Sequence, residues 1–190
     1  KKPTEGLYAT FTQQYIGWDH NLIKTEARAR YYLPVLQDTG IRTSVRGTAG
    51  MVNGLSGDVS SAEAYQLGPT FVRGFETKGI GPRLTNGEAL GSTWYVGGSA
   101  EMEFPVPVLP ESYGLSAAIW ADAGYIGGEA DDNGATVDTD STDNPFKASV
   151  GASLIWDSPF GPLRGDFGYV LSKATGDRTQ VFQLTLQSLL

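Results

Sequence analysis

The sequence has no cysteine and one histidine, His20. That rules out disulfides and thiolate metal sites and leaves little material for a zinc centre or a Ser-His-Asp triad. No stretch approaches the roughly 18 consecutive apolar residues of a membrane-spanning helix. Basic charge is also scarce: 14 Lys and Arg stand against 21 Asp and Glu, a formal net charge of −7. Nucleic-acid binding normally needs the opposite sign. The opening residues, Lys1-Lys2-Pro3-Thr4, carry neither a signal-peptide pattern nor an initiator Met, as expected of a chain whose leader has been removed or, the favoured reading, of a piece cut from a longer polypeptide.

Glycine and aromatics are plentiful, with 25 Gly, 9 Tyr, 8 Phe and 4 Trp. This mixture suits many short strands joined by tight turns. The mean hydropathy of −0.21 resembles that of a soluble protein. A transmembrane β-barrel gives the same average, because its strands alternate lipid-facing and lumen-facing side chains.

Alternation with period two runs through the chain. In residues 22–33, Ile23, Ala27, Ala29, Tyr31 and Leu33 share one face, and Lys24, Glu26, Arg28 and Arg30 the other. Residues 6–16 and 40–52 repeat the pattern, the latter with Val45 and Met51 opposite Arg42 and Arg46. After residue 92, Trp94, Val96, Met102 and Phe104 oppose Tyr95, Ser99, Glu101 and Glu103. Ile119 and Ala121 then oppose Trp120 and Asp122, Val150 and Leu154 oppose Ser149 and Ser153, and Phe167 and Tyr169 oppose Arg164 and Asp166. The final segment, about 179–187, sets Phe182, Leu184 and Leu186 against Gln183 and Thr185. The sum is about eight antiparallel strands of roughly ten residues, long enough to cross a bilayer at a tilt. A soluble sandwich also alternates, with its apolar face turned inward, so periodicity alone leaves that reading open.

Connections near 17–21, 52–92 and 127–146 read as long, and those near 35–39, 106–113, 157–161 and 173–178 as shorter. Such inequality is expected when hairpins turn at opposite membrane faces. The acidic stretch 127–144 lacks EF-hand ligand spacing and reads as a solvated surface loop. Residues 53–92, between the third and fourth strands, form a loop long enough to suggest function.

That loop contains Val72-Arg73-Gly74-Phe75, then Ile80-Gly81-Pro82-Arg83 and Ala89-Leu90-Gly91. Glu103-Phe104-Pro105, Trp120-Ala121-Asp122-Ala123-Gly124, Ser158-Pro159-Phe160-Gly161-Pro162-Leu163 and Gly176-Asp177-Arg178 follow in order. This ordered set resembles the C-terminal half of the transmembrane barrel of the BamA family of outer-membrane protein assembly factors, in the bacterial surface antigen superfamily. The end, Gln187-Ser188-Leu189-Leu190, departs from the aromatic terminus usual there.

The resemblance implies an all-β fold, a single domain over 1–190 forming half of a sixteen-stranded barrel. The periplasmic POTRA domains and the first barrel half are absent, and the loop 53–92 is directed into the lumen. It implies that Arg73 pairs with Glu103 and Asp122 on the inner wall, where a planar guanidinium fork suits two carboxylates and Gly74 permits the close turn. Strand phase agrees on direction, since a carboxylate facing lipid costs roughly a few kcal/mol. From the residues alone, Arg73 could equally be a solvated loop residue, with the carboxylates balancing Arg28, Arg30, Arg42 and Arg46.

The implied function is integral to the outer membrane of a Gram-negative bacterium: inserting unfolded barrel clients through a lateral seam, with no enzymatic step, cofactor or metal. Phe182, Gln183, Leu184, Thr185 and Leu186 would form the seam strand, open to β-augmentation, with Gly165 and Gly168 reducing packing beside it. The implied partners are clients, assembly-complex lipoproteins and the bilayer. A two-partner secretion or TamA-like pore, or a small stand-alone barrel, are the alternatives. Eight strands leave two open edges that lipid does not tolerate, so a second copy or further strands are expected to complete the wall.

Overall fold

The computed structural model describes residues 5–17, 21–34 and 39–186. His20, the first four residues and the C-terminal Gln187-Ser188-Leu189-Leu190 lie outside them. Eight antiparallel strands form one sheet in sequence order: β1 (Gly6–Gly17), β2 (Asn21–Leu33), β3 (Arg42–Gly54), β4 (Trp94–Pro105), β5 (Leu115–Gly127), β6 (Phe146–Ser158), β7 (Gly161–Ser172) and β8 (Phe182–Leu186). Every neighbouring pair is antiparallel, and β1 and β8 are the two edges of an unclosed sheet.

The expected alternation appears as a sheet turned inside out. On β5, Ala118, Trp120 and Asp122 are buried, while Ile119 and Ala121 are exposed. On β6 and β7, Val150, Leu154, Phe167, Tyr169 and Leu171 are exposed, and Lys147, Ser149, Ser153, Arg164 and Asp166 are buried. Leu154 is 53% exposed and Tyr169 71%, whereas Asp122 is 3% exposed. Exposed apolar surface costs about 25 cal/mol per Å² in water, so a face this uniformly greasy belongs against hydrocarbon. The sandwich reading fails here, because its apolar face would be the covered one.

What covers the polar face is the connection 55–93. Its backbone is tied into a compact shape by the paired bonds Tyr65 N–H to Ser92 O and Ser92 N–H to Tyr65 O, both 2.9 Å, and by Ile80 N–H to Leu67 O at 3.1 Å. A small apolar core forms where this loop meets the sheet: Phe71, Val72, Phe75 and Ile80 from the loop, Tyr95 and Ile126 from the strands.

The other connections on the same side are 128–145 and 173–181, and those on the opposite side are 34–41, 106–114 and 159–160. The connection expected near 17–21 lies, between the paired strand ends Gly17 and Asn21, outside the described residues. The acidic stretch after β5 is anchored too. Ser141 is buried, its hydroxyl accepts the Arg83 N–H at 2.9 Å, and Asp138 N–H donates to Arg83 O at 2.8 Å. Composition gave no hint of this anchoring, because most of the bonds run through main-chain atoms.

Candidate functional site

The inner face is best followed along its cross-strand rows. Arg46, Ser99, Asp122 and Ser149 lie side by side across β3 to β6, and the next row carries Ser44, Glu101, Trp120, Gly151 and Gly168. A third row runs Arg42, Glu103, Ala118, Ser153, Asp166. Directly opposed side chains in adjacent strands sit within about 5 Å, so each row is a contact ladder.

Arg73 enters this lattice from the loop. Its backbone N–H donates to Asp122 Oδ2 at 2.9 Å, Nε to the same oxygen at 2.8 Å and Nη2 to Asp122 Oδ1 at 2.8 Å. Nη1 reaches Glu101 Oε1 at 2.7 Å, and Nη2 also donates to Ser99 Oγ at 2.9 Å. The guanidinium lies over the Trp120 ring, 4.1 Å from its centroid. A side chain with five fixed donors fills this site; an ammonium would leave the bidentate bond to Asp122 unmade.

The backbone turn behind it needs glycine. Gly74 has φ +95°, in the left-handed region, and a Cβ there would sit 3.1 Å from Val170 Cγ2. Phe75 then drops into the core with no exposed surface.

Glycine pairs in the sheet form seats for the rings above them. Gly97 and Gly124 are cross-strand partners, and a Cβ on either would lie 2.6 Å or 2.3 Å from the Phe71 ring. Gly151 and Gly168 are likewise paired, and Trp120 lies across them. Gly168 is also close to Gly74, whose Cα would be 3.1 Å from an added Cβ. Gly168, expected to reduce packing near β8, leaves room for Trp120 and the Arg73-Gly74 turn.

Of the two expected partners of Arg73, the structure brings Asp122 to it and not Glu103. Glu103 pairs with Arg42 instead. The register explains the correction. Asp122 faces Ser99, so the nearest glutamate on the same face of β4 is Glu101, while Glu103 lies one pleat further and opposite Ala118.

Participants that escaped the sequence reading include Ser99, Glu101, Arg164 and Asp166. Arg164 forks onto Glu101, with Nη1 to Oε2 at 3.2 Å and Nη2 to Oε1, and its Nε donates to Asp166 Oδ1 at 2.8 Å. Glu101 thus serves two guanidinium groups at once. Ser153 closes the network, accepting from Trp120 Nε1 at 2.9 Å and bonding Asp166. The signal was available, since the alternation puts all four residues on the polar face; partner choice needed the register.

The loop is clasped from a second side by 173–181, the segment leading into β8. Gln180 N–H donates to Gly74 O at 2.9 Å, Glu76 N–H to Arg178 O at 3.0 Å and Arg178 N–H to Gly79 O at 2.9 Å. Asp177, buried, accepts from Lys147 Nζ at 2.5 Å, Ala174 N–H at 2.8 Å and Gly81 N–H at 3.2 Å. Thr175 bonds Asp143 through backbone and hydroxyl, which holds that carboxyl below its usual range. Among the described residues β8 pairs β7 from Leu163 to Phe167, and 174–181 turns from β7 to the loop.

The Omp85 superfamily domain model matches residues 1–187. The chain belongs to the Omp85 superfamily. Among curated relatives, the outer membrane protein assembly factor BamA of Neorickettsia risticii is 31% identical over 98% of this chain, and that of Neisseria meningitidis serogroup B is 30% identical over 64%. BamA of Nitratidesulfovibrio vulgaris is 27% identical over 91% of it. The Omp85 chain spans 25%, 18% and 21% of the lengths of these relatives. Its fold matches the crystal structure of BamA from Haemophilus ducreyi lacking POTRA domains 1-3, with a TM-score of 0.76 and 21% identity, over 96% of this chain and 38% of that one. The unclosed sheet thus has the fold of part of that barrel's wall.

Proposed function

We propose that this chain is the C-terminal half of the barrel of an outer-membrane protein assembly factor, integral to the outer membrane, which inserts unfolded barrel clients. The observation carrying this reading is the fixation of Arg73-Gly74-Phe75 on the inner face through Asp122 and Glu101, in a chain whose relatives bear the assembly-factor name. The loop 53–92 is directed into the lumen, and its ion pairs keep it there. The role requires no chemistry on a substrate, no cofactor and no metal.

The seam strand in this reading is β8, with Phe182, Gln183, Leu184, Thr185 and Leu186. Its outer edge carries unpaired backbone groups that a client strand can use by β-augmentation. Support comes from the clasp that draws 174–181 towards the loop. In the complete protein, clients and assembly lipoproteins are the partners. The relatives' name favours this over a secretion or translocation pore.

The test is a proteoliposome assay with the full-length protein and an unfolded outer-membrane barrel as client. Variants Arg73→Ala and a deletion of Phe182–Leu186 should each lose most client insertion relative to wild type. Full insertion by either variant would contradict the proposal.

A further inference from the structure

The two carboxylates that hold Arg73 are not held equally well themselves. Asp122 is sealed from solvent, and Ser99 Oγ donates to its Oδ1 at 2.5 Å. The Glu101 side chain is 19% exposed. Among the described residues, its hydrogen bonds come from two guanidinium groups, those of Arg73 and Arg164. A third guanidinium stands nearby. Arg46, one pleat away on β3, lies close enough to feel the Glu101 charge and joins no ion pair among the described residues. A long flexible carboxylate can turn towards any of these cations unless something fixes it.

Arg164 supplies that fixing. Its Nη1 and Nη2 reach different oxygens of Glu101, Oε2 at 3.2 Å and Oε1, which sets the plane of the carboxylate. The guanidinium is tethered in turn: Nε donates to Asp166 Oδ1 at 2.8 Å and Nη2 to Ser153 Oγ at 3.2 Å. Glu101 Oε1 is left in place to accept Arg73 Nη1 at 2.7 Å. Ser153 also accepts from Trp120 Nε1, whose ring lies beneath the Arg73 guanidinium. Arg164 therefore meets the seat of Arg73 from two directions.

We propose that Arg164 is a positioning residue for the loop: it acts through Glu101 to keep Arg73 seated, and so makes the loop's attachment depend on β7. Among the described residues β7 is the strand that pairs with β8, with Arg164 directly opposite Thr185 and Asp166 opposite Gln183. A displacement of β7 that moves Arg164 is felt at Arg73. Release of the loop is felt at Arg164, by the reciprocity of linked equilibria. The consequence for client insertion rests on the assembly reading; the positioning role rests on the geometry.

The experiment is hydrogen exchange, followed by mass spectrometry, on the full-length protein in lipid nanodiscs. Segment 66–80 of the loop is compared with β2, Asn21–Leu33. Arg164→Met should speed exchange across 66–80 by about tenfold or more, the scale of losing hydrogen bonds to a charged group, and leave β2 near wild type. Arg164→Lys should recover part of the protection, because an ammonium meets Glu101 without forking onto it. It also carries the comparison at smaller amplitude if the methionine variant does not insert. In Glu101→Gln the loop is already loosened, and adding Arg164→Met should speed exchange little further, as expected of residues acting through one contact. Equal factors from Arg164→Met in both backgrounds, the mark of a merely structural role, would overturn the proposal. Loop exchange as slow as wild type or slower in Arg164→Met would overturn it too, since Arg164 would then only compete with Arg73 for Glu101. Client insertion is measured separately on the same variants. Unimpaired insertion beside the expected exchange pattern would count against the loop's part in assembly while supporting the positioning role.

Discussion

Arg73 and Asp122 are joined by three hydrogen bonds, two from the guanidinium and one from the arginine's own backbone N–H. Side chain and main chain of a loop residue are thereby fixed to one carboxylate that is sealed from solvent. Removing one member of a buried pair strands the other charge, at a cost on the order of 3–5 kcal/mol. Arg73→Ala should release the loop 55–93, seen as much faster limited proteolysis within it. Arg73→Lys should fall between, since a point charge cannot reproduce the fork. Unchanged proteolysis of Arg73→Ala would contradict the anchoring role.

Glu101 and Glu103 occupy the same face of one strand, yet the register gives them different partners. Glu101→Gln should loosen the loop, because Arg73 and Arg164 both lose a charged acceptor. Glu103→Gln should leave loop proteolysis near wild type, because its ion-pair partner is Arg42. Equal effects from the two substitutions would mean that the partner assignment is wrong.

How far was this legible beforehand? Strand number and strand phase follow from alternation, because a pleat reverses side chains at every step, and the inward direction of Asp122 follows once the apolar face is set against lipid. Arg73 and its glycine were singled out by motif order. Glu101 was not, since choosing between two glutamates one pleat apart requires knowing that Ser99 faces Asp122, and register is set by long-range pairing. The clasp by 173–181 was invisible for a different reason: apart from Asp177 and from Arg178, whose Nη2 donates to Gly87 O at 3.3 Å, its bonds to the loop run between backbone groups, which every residue carries.

The glycine seat beneath Phe71 can be tested by filling it. Gly124→Ala places a methyl group where the ring now lies, and overpacking of this kind costs about 1–3 kcal/mol. Urea unfolding in micelles should show a lowered midpoint. Adding Phe71→Leu should recover much of the loss. A double variant no more stable than Gly124→Ala would argue that the seat is unimportant.

Lys147 and Asp177 form an ion pair whose side chains are both fully buried. Lys147→Met leaves Asp177 with only backbone donors and should destabilise the clasp, again on the order of 3–5 kcal/mol. Asp177→Asn should destabilise the clasp as well, because one amide oxygen can keep the Gly81 bond made to Oδ1 or the Ala174 bond made to Oδ2, but not both, and Lys147 loses its charged partner. The combined variant should cost less than the sum of the two, the signature of a direct interaction. Strict additivity in chemical denaturation would count against the pair.

The account depends most on which face of the sheet meets lipid, and the absence of cysteine makes that directly measurable. Single cysteines at Ile119, Val150 and Leu154, and at Ala118 and Ser149, can carry a small fluorophore in protein refolded into vesicles containing brominated lipid. Labels at the first three positions should be strongly quenched by the bromine and those at the other two should be spared. Quenching at Ala118 and Ser149 with none at Leu154 would reverse the faces and contradict the account.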